Sequence, residues 1–132
     1  MAAYGLRMYP TIWWHCHVHT KDRRGAERTV GRLADRLDRP IRLETYARYG
    51  KYPELAELRL VSPLESVGPQ EALLAVLQSA WRIATPWALG APGPQGEFEG
   101  FASENTGSRF TVPGVEWIDF HIADSRTFAS SG

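Results

Sequence analysis

WWHCHVHT, Trp13 to Thr20, carries three of the chain's four histidines at every second position. With Ile12 in front, the segment alternates without a break. Ile12, Trp14, Cys16 and Val18 fall on one side, and Trp13, His15, His17 and His19 on the other. Period two is the signature of a strand with one buried face, and the first set is the expected core face. The second set is either a working surface or the wetted side of a sheet.

Downstream, Ala26, Val30, Leu33 and Leu37 recur at helical spacing. Asp22 suits the cap and Pro40 forbids continuation, so a helix is expected over about residues 23–38. IRLETYARY alternates again, with Ile41, Leu43, Thr45 and Ala47 against Arg42, Glu44, Tyr46 and Arg48. GKYP has turn chemistry. ELAELRLVS then puts Ala56, Leu58 and Leu60 on one face. A second helix follows, opened by Gly68 and Pro69, with Leu73, Val76, Leu77, Ala80 and Trp81 as its apolar side, and stopped by Pro86. Trp87 is expected at the base of the next loop. Residues 90–96, GAPGPQG, read as a loop or a lid, and EFEGFAS as a short strand. VEWIDFHI is the last clear strand, with Ile118, Phe120 and Ile122 opposed to Val115, Trp117, Asp119 and His121.

The order β-α-β-β-α-(β)-β predicts a single α+β domain over residues 1–123. It is expected to be ferredoxin-like (split βαβ), an antiparallel sheet with both helices on one face. Residues 124–132 read as a polar, frayed tail. The chain has 132 residues and balances 15 basic against 15 acidic side chains, which argues against non-specific nucleic-acid binding. No RNP1 pattern occurs, so RNA on the open sheet face is not expected. Cys16 is the only cysteine, which excludes an intramolecular disulfide and any Cys-x-x-Cys site. With no secretory h-region and no apolar run of about 18 residues, the expected location is the cytoplasm. Arg24, Arg28, Arg32 and Arg36 form a stripe on the first helix, flanked by Glu27 and Asp35. A solvated helix face with local ion pairs explains it.

In the expected topology the first and last strands are antiparallel neighbours, and their outer faces merge. Paired numbers summing to about 136 put His15 opposite His121 and His17 opposite Asp119. A two-residue slip keeps the same face, whereas a one-residue slip would turn the core outward. All four histidines then share one surface. His17 with His15 or His19, joined by His121 or Asp119, has the reach to hold a metal ion, though no specific metal or other cofactor is indicated. His17, His121 and Asp119 are alternatively an acid–base set, with Asp119 fixing an imidazole tautomer. Trp13, His15, His19, Arg42, Tyr46, Arg48 and Trp117 are the expected binding residues, with Arg42 or Arg48 meeting an anionic ligand. The aromatics on this face suggest something that covers it.

Two functions fit. One is a small interaction protein that holds a protein partner, in the manner of immunity-type inhibitors, or self-associates as a homodimer. The other is a small enzyme with a histidine–aspartate or metal site on the same face, taking a small-molecule ligand.

Overall fold

The computed structural model describes residues 7–125; residues 1–6 and 126–132, which include most of the expected tail, lie outside the described residues. β1 (Met8–His19) is followed by α1 (Arg23–Leu37), β2 (Arg42–Arg48), β3 (Leu55–Val67) and α2 (Pro69–Ile83). Then come β4 (Ala84–Thr85), β5 (Ala88–Leu89), β6 (Phe98–Ser103), a 3-10 turn at Glu104–Thr106, β7 (Arg109–Phe110) and β8 (Val115–Ile122). The fold is α+β. Six strands form one sheet in the order β2-β3-β1-β8-β6-β5, every pairing antiparallel, and β4 and β7 make a separate two-stranded ladder. No helix among the described residues is long and apolar enough to cross a membrane.

Both helices start where the sequence chemistry puts them. The Asp22 carboxylate accepts the Gly25 amide at 2.8 Å, and Asp38 closes α1 in the left-handed region at φ 57°. Pro69 opens α2 after Gly68, whose φ of 87° suits glycine. The Trp87 indole N–H donates to the carbonyls of Ala80 (3.0 Å) and Ala84 (2.8 Å), satisfying acceptors at the end of α2.

The helices pack against each other and against the sheet. Ile12, Trp14, Cys16 and Val18 of β1 are all buried beneath them, with Leu58 and Leu60 of β3 and Ile118, Phe120 and Ile122 of β8 alongside. The buried side of α2 is Ala72, Val76, Ser79, Ala80 and Ile83. Trp81, expected in the core, is instead 61% exposed. The small residues at 72, 79 and 80 let α2 approach closely, and a stripe through them leaves position 81 outside.

Three bulges set the register. On β3, the pairing with β1 slips between Tyr9–Ser66 and Thr11–Pro63, where Glu65 sits at φ 52°. On β8, Glu116 is the extra residue between His17–Trp117 and Val18–Val115. Val115, expected on the open face, is therefore buried. On β2, Glu44 is the extra residue between Leu43–Leu60 and Thr45–Arg59. Each bulge reverses the facing of every residue beyond it.

Residues 90–96 close the β5–β6 hairpin, which extends the sheet beyond β8. The carbonyl of Gly96 accepts the Tyr9 hydroxyl at 2.8 Å, so the turn leans on the start of β1. The chain stays packed through Asp124, which is buried and ion-paired to Arg7 at 3.6 Å.

Candidate functional site

β1 lies between β3 and β8, so its outward residues sit in rows that cross the sheet. Around His15 the row reads Thr45, Arg59, His15, Asp119, Phe101; around His17 it reads Ala47, Glu57, His17, Trp117, Ser103. Paired numbers on β1 and β8 sum to 134 rather than the expected 136, which is the two-residue slip. His15 thus faces Asp119, His17 faces Trp117, and His121 faces Trp13.

This register sorts the four histidines. His15 and His17 lie together, with ring centroids 5.3 Å apart. His19 points to Glu116, at 3.3 Å, and stands half-exposed at the strand end. His121 packs on Trp13 at 5.9 Å. The set His17, His121 and Asp119 is therefore not assembled as expected. His121 is level with residue 13, about 13 Å along the strand from His17, and Asp119 touches His15 instead.

The residue that joins the two central histidines is Glu57 on β3. Its Oε2 lies 3.3 Å from His15 Nε2 and 3.7 Å from His17 Nε2. Both Nε2 atoms are buried, and neither has a hydrogen-bond partner among the described residues. On its other side His15 presents Nδ1 to Asp119 Oδ2 at 3.8 Å. The His17 ring stacks with Tyr49 at 4.1 Å and with Trp117 at 5.0 Å, which fixes its plane. Tyr49 is held by the β2–β3 turn, its amide donating to the Leu55 carbonyl at 2.9 Å.

The environments drive the two imidazoles apart. The Asp119 carboxylate beside it raises the pKa of His15 above the ordinary histidine value, against an opposing cost of burial. Burial lowers that of His17, and the neighbouring His15 charge lowers it further. Cys16, between them in sequence, faces the core, where burial pushes its thiol pKa up and leaves it inert.

Comparison with family models, curated proteins and solved structures found no match. The site must be read from its own geometry. One ligand atom each from His15, His17 and Glu57 lies within 4.8 Å of the others. Two ligands bound tetrahedrally to a zinc-sized ion at about 2.1 Å lie about 3.4 Å apart. The two histidine–glutamate separations, 3.3 and 3.7 Å, bracket that edge. Two nitrogens and a carboxylate oxygen leave coordination positions open.

Hollows flank the cluster on both sides. The one beside His17 is about 610 Å3 and includes Tyr49, Tyr52, Asn105 and Trp117 in its walls. The one beside His15 is about 690 Å3 and includes Trp13, Arg59, Asp119 and His121. None of residues 91–96 lines either, so the expected lid does not lie over the histidines.

Of the expected binding residues, Trp13, His15, His19, Arg42 and Trp117 are on the open side. Arg42 is spread along the surface beside Glu44, at 3.5 Å. Tyr46 and Arg48 are not on that side, because the Glu44 bulge turns them toward the helices, opposite the core residues Leu58 and Ala56. There Arg48 donates to the carbonyls of Thr20 (2.7 Å) and Pro53 (3.2 Å) and to the Tyr46 hydroxyl. Glu57, Tyr49 and Arg59 are the site residues that sequence reading missed. Glu57 and Arg59 carried a signal, since they alternate outward between Ala56, Leu58 and Leu60. Tyr49 sits in a turn and carried none.

Proposed function

We propose that this protein binds a divalent transition-metal ion through His15, His17 and Glu57, as a small metalloprotein with open coordination positions on the sheet face. One observation carries the reading. Two buried imidazole nitrogens, neither in a well-formed hydrogen bond, converge on one carboxylate oxygen at the spacing of a tetrahedron's edge. An N,N,O donor set suits Zn2+, Fe2+, Co2+ or Ni2+ and disfavours Ca2+ or Mg2+. Asp119 beside His15 Nδ1 acts as the outer-shell carboxylate that orients a ligating imidazole. Held by these three residues, such an ion would supply Lewis-acid chemistry toward a substrate oxygen or a water, which makes hydrolytic or lyase chemistry the class to test.

The wider fold reading is the ferredoxin-like one. The order β2-β3-β1-β8 within a β-α-β-β-α-β chain order supports it, with β5 and β6 as an edge addition. The reading of the open face as a protein-docking surface has weaker support, because its aromatics already have neighbours. Trp13 packs on His121, and Trp117 packs on His15 and His17.

Thermal unfolding with EDTA or with Zn2+ and Ni2+ tests the metal site. At a hundredfold excess over Kd the ion is expected to add about 2.7 kcal/mol to wild type. His17→Ala is expected to remove that gain. No shift in wild type, or an equal shift in His17→Ala, overturns the reading.

A further inference from the structure

We propose that the hollow on the His15 side of the open face is a binding site for a small organic carboxylate with an apolar body, anchored by Arg59. The hollow is about 690 Å3, in the range of small-molecule sites. Trp13, Leu60 and Val61 give its walls an apolar stretch.

Its walls hold two carboxylates, Glu44 and Asp119, and one guanidinium, Arg59. Glu44 is ion-paired with Arg42 at 3.5 Å, and Asp119 with His15 at 3.8 Å. Arg59 is exposed, and its guanidinium makes no hydrogen bond or ion pair among the described residues. It stands between Thr45 on β2 and His15 on β1, at the centre of the hollow's row. A guanidinium is a planar fork of donors that fits a carboxylate through two parallel hydrogen bonds. Each carboxylate of the hollow lies beside a basic side chain, Glu44 by Arg42 and Asp119 by His15, so the Arg59 fork is the open hydrogen-bonding group and an anion is the ligand it fits. The apolar walls beside it select an anion that carries a hydrophobic body over a bare inorganic one.

The site borders the metal cluster through His15 but does not depend on it. Arg59 is not among the metal-ligating atoms, and the two readings can fail separately.

The test is a titration of the full chain with sodium benzoate in EDTA, followed by calorimetry and by the tryptophan indole resonances. Benzyl alcohol and inorganic phosphate serve as comparators. Saturable benzoate binding is expected, with both comparators weaker. Arg59→Gln is expected to weaken benzoate by about tenfold or more. Arg59→Lys, which keeps the charge and loses the fork, should fall between the two and carries the test if the glutamine variant does not fold. Absence of saturation, equal affinity in wild type and variant, or phosphate binding as tightly as benzoate overturns the proposal. A Zn2+ titration of Arg59→Gln is expected to keep saturable uptake, since Arg59 supplies no ligand atom. If benzoate binds in an Arg59-dependent way while wild type takes up no Zn2+, the carboxylate site stands and the metal reading falls.

Discussion

The two sides of β1 lose water in different ways. On the helix side Trp14 is 1% exposed, and its indole N–H donates to Ser62 Oγ at 3.0 Å. Its ring meets Phe120 edge-on at 6.2 Å, and Cys16 beside it carries no charge. One residue away, on the open side, two imidazole nitrogens are buried with no hydrogen-bond partner among the described residues. Burying apolar area on the first side stabilises the fold by about 25 cal/mol per Å2. Leaving a buried polar group unsatisfied on the second costs about 1–3 kcal/mol. The helix side thus satisfies the one polar atom of Trp14, whereas on the open side two imidazole nitrogens share only the Glu57 carboxylate, at 3.3 and 3.7 Å.

Truncating the satisfied side should have the largest effect. Trp14→Ala is expected to lose about 3–5 kcal/mol in urea unfolding, from lost burial and the cavity left behind. A loss below about 1 kcal/mol would mean that the helix side is not the main stabilising contact of β1.

On the open side, Glu57→Gln should leave metal-free stability close to wild type and abolish the metal-dependent gain of about 2.7 kcal/mol at a hundredfold excess over Kd. Thermal scans with and without Zn2+ read both numbers. A large loss of stability without metal would make Glu57 a structural partner of the histidines and blur the contrast.

Asp119→Asn acts one shell further out. Metal affinity measured by calorimetry is expected to fall by about 10–100-fold, the usual effect of removing an outer-shell carboxylate. An unchanged affinity would show that His15 needs no orienting partner.

The smallest effect is the pH dependence of the metal-free protein. His15 has a raised pKa in the fold, so its contribution is complete below the unfolded value of about 6.5 and is lost as pH rises through the folded value. His17 has a lowered pKa, so stability is retained above about 6.5 and lost as pH falls through its folded value. The two oppose each other, and wild type should have a shallow profile in EDTA from pH 5 to 8. Asp119→Asn removes the main cause of the His15 shift and should unmask a loss of stability on the acid side. Resonances of His15 and His17 that titrate together near 6.5 would contradict both assignments.

The alternation of residues 12–19, the caps at Asp22 and Gly68–Pro69, and the order of the long elements were all legible in the sequence. They are local, and each depends on residues close to one another in the chain. Register was not. Nothing near His17 tells which residue of β3 will lie beside it, and the answer, Glu57, depends on how far the strands slide. The bulges at Glu44 and Glu116 were equally silent, because an extra residue leaves alternation intact on either side and reverses it across the break. That is why Val115, Tyr46 and Arg48 were expected on the wrong face while His15 and His17 were not. Trp81 was misplaced for a different reason: its bulk suggested a core residue, but the helix packs through its smallest side chains.

The bulge on β2 also divides the labour of one short strand. Arg42 lies ahead of it and looks onto the open face, while Arg48 lies beyond it and, from behind the sheet, clasps the carbonyls of Thr20 after β1 and Pro53 in the β2–β3 turn. Deleting Glu44 would join the Leu43–Leu60 pair directly to the Thr45–Arg59 pair, make the ladder regular, and leave Arg48 and its clasp on the helix side. The spare residue is what lets two arginines an even number of positions apart serve opposite sides of one ribbon.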